Sequence, residues 1–361
     1  MSAFIFILVL VALIVVHELG HFIAAKLSGM RVDEFGLGYP PRALTIAKVG
    51  ETAYTLNWLP FGGFVKIFGE DGGAGSRAFT TRPRILQAIV LVAGIAMNMF
   101  FAYVLIVGAL VTGTPRALSQ DDLAVAQDVQ LAVANVLPGS PAAEAGLLPG
   151  DSIIAAEDGM GKWSSTDPKS FSAFVAASDG DEIALEVKRN GKTQTLFATP
   201  ATGVATSDPK RFALGVEVAT IGVVQLPFGK ALSEGASLTW GVTVLTAEGL
   251  WHFFYGVFTF SADLSQVAGP IGIAGAVGSA SAQGMGDLLS IMAIISINLA
   301  LINLIPVPAL DGGRLLFVII ESITRRPIKP RVAQTVNAIG FLLLVLLMVV
   351  VTAHDIFKIL G

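Results

Sequence analysis

Four stretches of the chain are long, apolar and nearly free of charge: Ala3–Leu27, Ile85–Val111, Leu288–Val307 and Val332–Thr352. About twenty helical residues cover the hydrocarbon core of a bilayer, so each predicts a transmembrane helix. The last three contain no Asp, Glu, Lys or Arg. A fifth stretch, Leu238–Phe260, carries Glu248 and His252 among Trp240, Trp251, Phe253, Phe254, Tyr255 and Phe258. Aromatics mixed with polar groups predict a helix lying in the membrane interface, with His252 an interfacial residue. Elsewhere the pattern has the period of a strand. Thr52–Trp58 alternates, Leu59–Gly63 reads as a turn, and Phe64–Phe68 runs back. Glu182–Val187 and Thr193–Ala198 alternate on either side of Arg189-Asn190-Gly191-Lys192, a hairpin signal.

Basic residues orient the spans. Seven lie between the first two, from Arg31 to Arg84, and five between the last two, from Arg314 to Arg331. Both connections read as cytoplasmic, with the termini and the section from Thr112 to Gly286 outside. The expected order is residues 1–28 as the first span, 29–84 as a membrane-associated β-loop region and 85–112 as the second span. A soluble α+β domain follows at 125–220, then a linker with an interfacial helix at 221–287, the third span at 288–314 and the fourth at 332–354. The fold class is a mainly α-helical membrane protein with a membrane-embedded β-hairpin and one inserted extracytoplasmic domain.

Composition agrees: 53% of residues are hydrophobic and 14% charged, and the mean hydropathy is +0.72. A formal net charge of −4 argues against a nucleic-acid partner. The absence of cysteine removes disulfides, thiolate metal sites and cysteine nucleophiles.

Within the first span, residues 17–21 read His-Glu-Leu-Gly-His. One helical turn separates His17 from His21, so both imidazoles point the same way, and Glu18 stands beside them to handle a proton. A random chain of this length holds that pattern on the order of once in a hundred. A signal peptide fits poorly, because Glu18 interrupts the run and no basic segment precedes it. Two histidines and a carboxylate at membrane depth point to function. A catalytic zinc ordinarily takes three protein ligands. The candidate third is Asp311 in Asn303-Leu-Ile-Pro-Val-Pro-Ala-Leu-Asp-Gly-Gly-Arg314, where prolines and glycines break the helix. From the residues alone, Asp311 is either that ligand or a helix cap. If Leu238–Phe260 lies along the outer surface, the third span brings Asp311 to the side where His17 and His21 lie. Asn98 and Asn303 are polar groups in apolar spans, read as substrate-backbone or oxyanion donors, or else as interhelical hydrogen bonds.

The chain resembles the site-2 protease family of intramembrane zinc metalloproteases, in its bacterial RseP-like branch. The likeness rests on HExxH in the first span, Leu310-Asp311-Gly312 after the third and the wider phrase from Asn303 to Gly313. Gly94-Ile-Ala-Met-Asn98 resembles the family's GxxxN element, Phe61–Lys66 its membrane-associated β-loop, and Ala268–Ile273 its GPI segment. Ser140–Ile154 resembles the turn phrase of a PDZ domain, with Leu214, Gly215 and Val216 placed to receive a peptide end. RseP itself carries two tandem PDZ domains, whereas one is read here, so the likeness is to the family.

The resemblance implies a metalloendopeptidase with one catalytic Zn2+ on His17, His21 and Asp311, and Glu18 as general base. It implies substrate contacts at Asn98, Asn303, Phe61, Gly62, Gly63, Pro306 and Pro308. It further implies a multi-pass protein of the bacterial inner membrane whose substrates are pre-trimmed single-span proteins, such as anti-sigma factors and remnant signal peptides. The alternatives are a non-catalytic membrane chaperone or PDZ adaptor of the same fold, and a transporter with a structural metal. The transporter would carry repeated spans, which the sequence lacks.

Overall fold

The computed structural model describes residues 2–70, 75–118, 122–189, 191–204, 208–259, 261 and 268–360. Asn190 of the hairpin turn and Phe260 of the aromatic stretch lie outside these, as do the side chains of Phe61 and Phe258. The chain divides into two compact units, Met1–Val111 with Pro227–Gly361, and Thr112–Leu226.

The first unit is built from helices α1 (Ser2–Leu27), α2 (Arg84–Thr112), α5 (Phe228–Phe258), α6 (Pro270–Gln283), α7 (Met285–Leu304), α8 (Asp311–Thr324) and α9 (Pro330–Leu360), with strands β1 (Val32–Val49) and β2 (Thr52–Ile67) between α1 and α2. Four helices are long and apolar enough to cross a membrane: Ala3–Leu27, Arg84–Thr112, Met285–Leu304 and Arg331–Lys358. These are the four expected stretches, the last extended by six residues at its end. Many of their large side chains stay exposed, among them Phe4, Phe100, Phe341 and Leu342, as befits surfaces whose solvent is lipid.

The inner face packs tightly. α1 and α2 cross so closely that a β-carbon on Gly20 would lie 2.3 Å from the Ala93 carbonyl oxygen. Ala25, Met30, Val32, Ile67, Val90 and Val318 form a buried cluster that joins the end of α1, the strands, α2 and α8. On α1's other flank lies α6, which also packs on α7. The first turn of α6 has no side-chain cap of its own. Asp355, near the end of α9, supplies one: its carboxylate accepts from the Gly269 N–H at 3.2 Å and the Gly272 N–H at 2.9 Å.

β1 and β2 pair antiparallel, but in an irregular register that folds each long strand back on itself. Residues 44–49 face 52–56, residues 34–37 face 53–56, and residues 34–37 also face 63–66. Four segments therefore lie side by side. Segments 42–49 and 63–67 form the two edges. The sequence reading expected a hairpin of 52–58 with 64–68; those two arms do not pair with each other, because segment 34–37 lies between them. Gly36, Gly38 and the Pro40-Pro41 pair disguise β1, because glycine and proline read as strand breakers. The aromatic stretch is helical, but α5 begins ten residues before Leu238. The segment read as a linker, 221–287, is mostly the two helices α5 and α6.

The second unit holds one seven-stranded sheet, formed by β3 (Thr114–Ala117), β4 (Gln127–Val136), β5 (Ser152–Glu157), β6 (Lys162–Trp163), β7 (Ile183–Arg189), β8 (Lys192–Ala198) and β9 (Val216–Val224). The spatial order is β3-β9-β4-β5-β7-β8, with β6 paired to β5. Helices α3 (Pro141–Glu144) and α4 (Pro168–Ala177) complete the unit. Leu131, Leu147, Phe171, Ile183, Leu185 and Val187 are among its buried core. Asp151, ending the Pro-Gly-Asp turn, is buried and takes a two-pronged hydrogen bond from Arg189, 2.6 Å at each oxygen, and another from the Leu148 N–H at 3.0 Å. That anchor ties the turn before β5 to the end of β7.

Burial alone would raise the pKa of Asp151, but the Arg189 hydrogen bonds, the Leu148 N–H and the guanidinium charge together hold it below the ordinary carboxylate value. A depressed folded pKa gives stability that is complete above the unfolded value and is lost as pH falls through the folded one. We expect acid to loosen this unit before neutral pH does anything to it. Asp151→Asn should lower its stability by about 2–3 kcal/mol at pH 7 and flatten that acid dependence. Hydrogen exchange of β5 and β7 amides in the full chain, measured between pH 3 and 7, checks both.

Candidate metal centre

His17 and His21 sit in the second half of α1 and Asp311 opens α8, almost three hundred residues away in sequence. The structure brings them together. His17 Nε2 lies 2.9 Å and His21 Nε2 3.1 Å from Asp311 Oδ2, and the two ring nitrogens are 3.1 Å apart. These three residues are the only group among the described ones whose ligand atoms meet closely enough to hold a metal ion. Both histidines are buried and the aspartate nearly so.

The backbone explains how Asp311 arrives. α7 stops at Leu304, residues 305–310 are irregular, and α8 starts at Asp311 itself. A carboxylate in the first turn of a helix is favoured by the unsatisfied N–H groups there. The loop folds back onto α8 so tightly that a β-carbon on Gly312 would lie 2.3 Å from the Ile305 carbonyl oxygen. The second helix of the site, α2, makes room for the rings. A β-carbon on Gly94 would stand 2.4 Å from His21 Nε2 and 2.8 Å from His17 Cε1.

The donors fit a metal of zinc's kind. Metal–ligand bonds of about 2.0–2.2 Å in a tetrahedron give donor–donor edges of about 3.3 Å, close to the separations found. His21 Nδ1 lies 2.8 Å from the Val90 carbonyl oxygen. A carbonyl only accepts, so Nδ1 carries the proton and Nε2 keeps its lone pair facing Asp311 and His17. Three donors thus converge, with the tautomer of the His21 ring set from behind, and could hold one metal ion.

Glu18 is half-buried beside the cluster. A β-carbon on Gly63 would lie 3.6 Å from Glu18 Cγ, so the edge segment 63–67 of the sheet runs past the carboxylate. Gly62 adopts a positive φ of 87° just before it. Asn98 is fully buried, with its amide nitrogen 3.3 Å from His17 Nδ1. Asn303 lies at the end of α7, half-buried, and no hydrogen bond among the described residues joins it to the cluster. Pro306 is exposed, and Pro308 packs under Gly340 of α9, while Asn337 Oδ1 accepts from the Ala309 N–H at 3.3 Å.

Two participants escaped the sequence reading. The Val90 carbonyl could not have been found, since every residue carries one. Ser296 left a faint signal as a hydroxyl in an apolar span; it donates to the Asn98 carbonyl at 2.8 Å.

In the second unit, Leu214, Gly215 and Val216 line a groove of about 550 Å³ between α4 and β9, along with Phe171, Val175 and Arg211. β3 pairs only with Ile221–Val224 of β9. The first half of that strand edge is left to the groove.

A pair of helical histidines, a carboxylate from a distant helix and a neighbouring glutamate are the equipment of a metal-dependent hydrolase. Residues 5–347 match the sequence profile of Peptidase family M50, and the chain belongs to that family. It is 36% identical over 348 residues to a Clostridium perfringens protein, covering 96% of this chain and 95% of the other. A Nostoc sp. protein is 34% identical over 353 residues, covering 95% and 93%. A Brucella suis protein is 31% identical over 374 residues, covering 98% and 94%. Each of the three bears the name "Putative zinc metalloprotease".

Gly94→Ala should drive a methyl group into the imidazoles. We expect it to cut the bound divalent metal well below one per chain while the four helices still form. Metal analysis of the purified protein beside its circular dichroism spectrum checks this. Asp311→Asn should weaken metal binding as well; unchanged affinity would return Asp311 to the role of a helix cap.

Proposed function

We propose that this protein is a zinc-dependent endopeptidase that cleaves within transmembrane segments, a site-2-type metalloendopeptidase of class EC 3.4.24. The observation that carries the reading is the convergence of His17 and His21, inside one apolar span, with Asp311, just after another. Their meeting requires α1 and α7 to deliver both half-sites to the same side of the bilayer.

Zinc bound by those three residues supplies Lewis-acid activation of water at neutral pH. Glu18 takes the proton from the attacking water and passes it to the nitrogen of the departing amine. The apolar walls of α1 and α2 keep bulk water out, which strengthens each polar contact inside.

A peptide bond within a helix is shielded by the helix's own hydrogen bonds, so the substrate must be held extended. The edge segment 63–67, passing Glu18, offers backbone groups for strand addition beside the catalytic carboxylate. Large apolar side chains at 39–59, including Leu44, Ile46, Trp58 and Leu59, are exposed, which fits a sheet dipping into the membrane. Substrates with helix-weakening residues are favoured, since the bound segment must be extended.

The second unit reads as one PDZ domain outside the membrane. The groove beside Leu214, Gly215 and Val216 and the open half of β9 suit a peptide end added as a strand. This arrangement suits the bacterial inner membrane, with both termini extracytoplasmic, and substrates already shortened on the outer face, such as anti-sigma factors and remnant signal peptides. The non-catalytic chaperone reading predicts zinc without turnover.

Glu18→Gln should keep its zinc and its fold yet lose cleavage of a single-span substrate by about 10²–10⁴-fold. The test is purified enzyme in detergent or vesicles against a panel of single-span proteins, each with and without its outer domain. Undiminished turnover by Glu18→Gln would remove Glu18 from this role, and a wild type that holds zinc without cutting any of the panel would favour the chaperone.

A further inference from the structure

One face of α2 presents three different devices, one turn apart, to the two imidazoles. Val90 offers its carbonyl to His21 Nδ1 at 2.8 Å. Gly94 leaves the gap into which both rings press. Asn98 lies 3.3 Å from His17 Nδ1 through its amide nitrogen, while its own Oδ1 is buried with no hydrogen-bond partner among the described residues. The Asn98 backbone is pinned by Ser296 Oγ of α7, so the side chain has little freedom beyond rotation of its amide.

The amide as placed does not match a loaded site. His17 must present a lone pair on Nε2 to bind a metal. A neutral imidazole then carries its single proton on Nδ1. An amide N–H opposite that proton sets donor against donor. Turning the carboxamide end for end exchanges its oxygen and nitrogen positions, which differ little in shape. The oxygen that is now orphaned becomes the acceptor for His17 Nδ1–H, as the Val90 carbonyl is for His21.

We propose that Asn98 is a positioning residue for the metal centre. Its side-chain oxygen accepts from His17 Nδ1–H, fixes the tautomer and aim of that ring, and acts on the reaction only through His17. This rests on the zinc-peptidase reading and reassigns Asn98 from the substrate-contacting role that the sequence suggested. The pattern is the usual one for ligating histidines, whose second nitrogen is held by a carbonyl or carboxylate oxygen.

The two roles separate in the full-length protein. Asn98→Leu removes the acceptor at nearly constant volume and strands a buried N–H. It should weaken zinc about 10–100-fold in a chelator competition, with a matching change in the visible spectrum of the cobalt-substituted protein. Asn98→Asp restores an acceptor but has no N–H to give a substrate. It should hold zinc within a few-fold of the wild type and keep the wild-type KM. Failure of the wild type to bind zinc would strike the underlying reading instead. Wild-type zinc affinity in Asn98→Leu, or zinc loss or a raised KM in Asn98→Asp, overturns the positioning role. Should Asn98→Leu fail to fold, the Asn98→Asp measurement decides alone.

Discussion

Polar side chains in a low-dielectric interior are tolerable only when each finds a partner, and that constraint governs this molecule. An unpaired polar group there costs several kcal/mol. His17, His21 and Asp311 meet one another within about 3 Å. The backs of the rings are met in turn by Val90 and Asn98, and Asn98 by Ser296. Much of the rest of the helical unit follows from closing this chain of contacts: the tight crossing at Gly20 and Gly94, the folded loop before α8, and the shared core of Met30, Val32, Val90 and Val318.

The second unit meets the same constraint by other means. Its core is an apolar cluster, and Asp151, its one buried carboxylate among the described residues, is neutralised by a two-pronged guanidinium contact. The same demand for a partner is met there by a salt bridge that water can reach at one end, Arg189 being about 29% exposed in its side chain. One chain thus answers two solvents with two kinds of pairing.

Much of this was legible beforehand, for identifiable reasons. Apolar runs as long as the hydrocarbon core predict spanning helices, and four helices long and apolar enough to cross a membrane lie where the runs are. The i, i+4 spacing puts His17 and His21 on one face whatever the tertiary structure. Asp311 could be matched to them only through topology and family resemblance, because a residue at a helix start after two prolines looks the same as a cap. β1 was hidden by Gly36, Gly38, Pro40 and Pro41, residues that permit its folded-back register but mimic a loop. α6 was missed because Gly272, Gly275 and Gly278, with Ser279 and Ser281, lower its helix propensity, and it is held by Asp355, more than seventy residues on. Val90 contributes a carbonyl, a group that composition can never single out.

Splitting the donor set between residues 17–21 and residue 311 has a consequence for biogenesis. A ribosome will have made most of the polypeptide before the last ligand exists, and any nascent chain released early lacks it. The three donors can therefore meet only late, after α1 and α2 have been made. A centre divided in this way stays incomplete until the helices that wall it are in place.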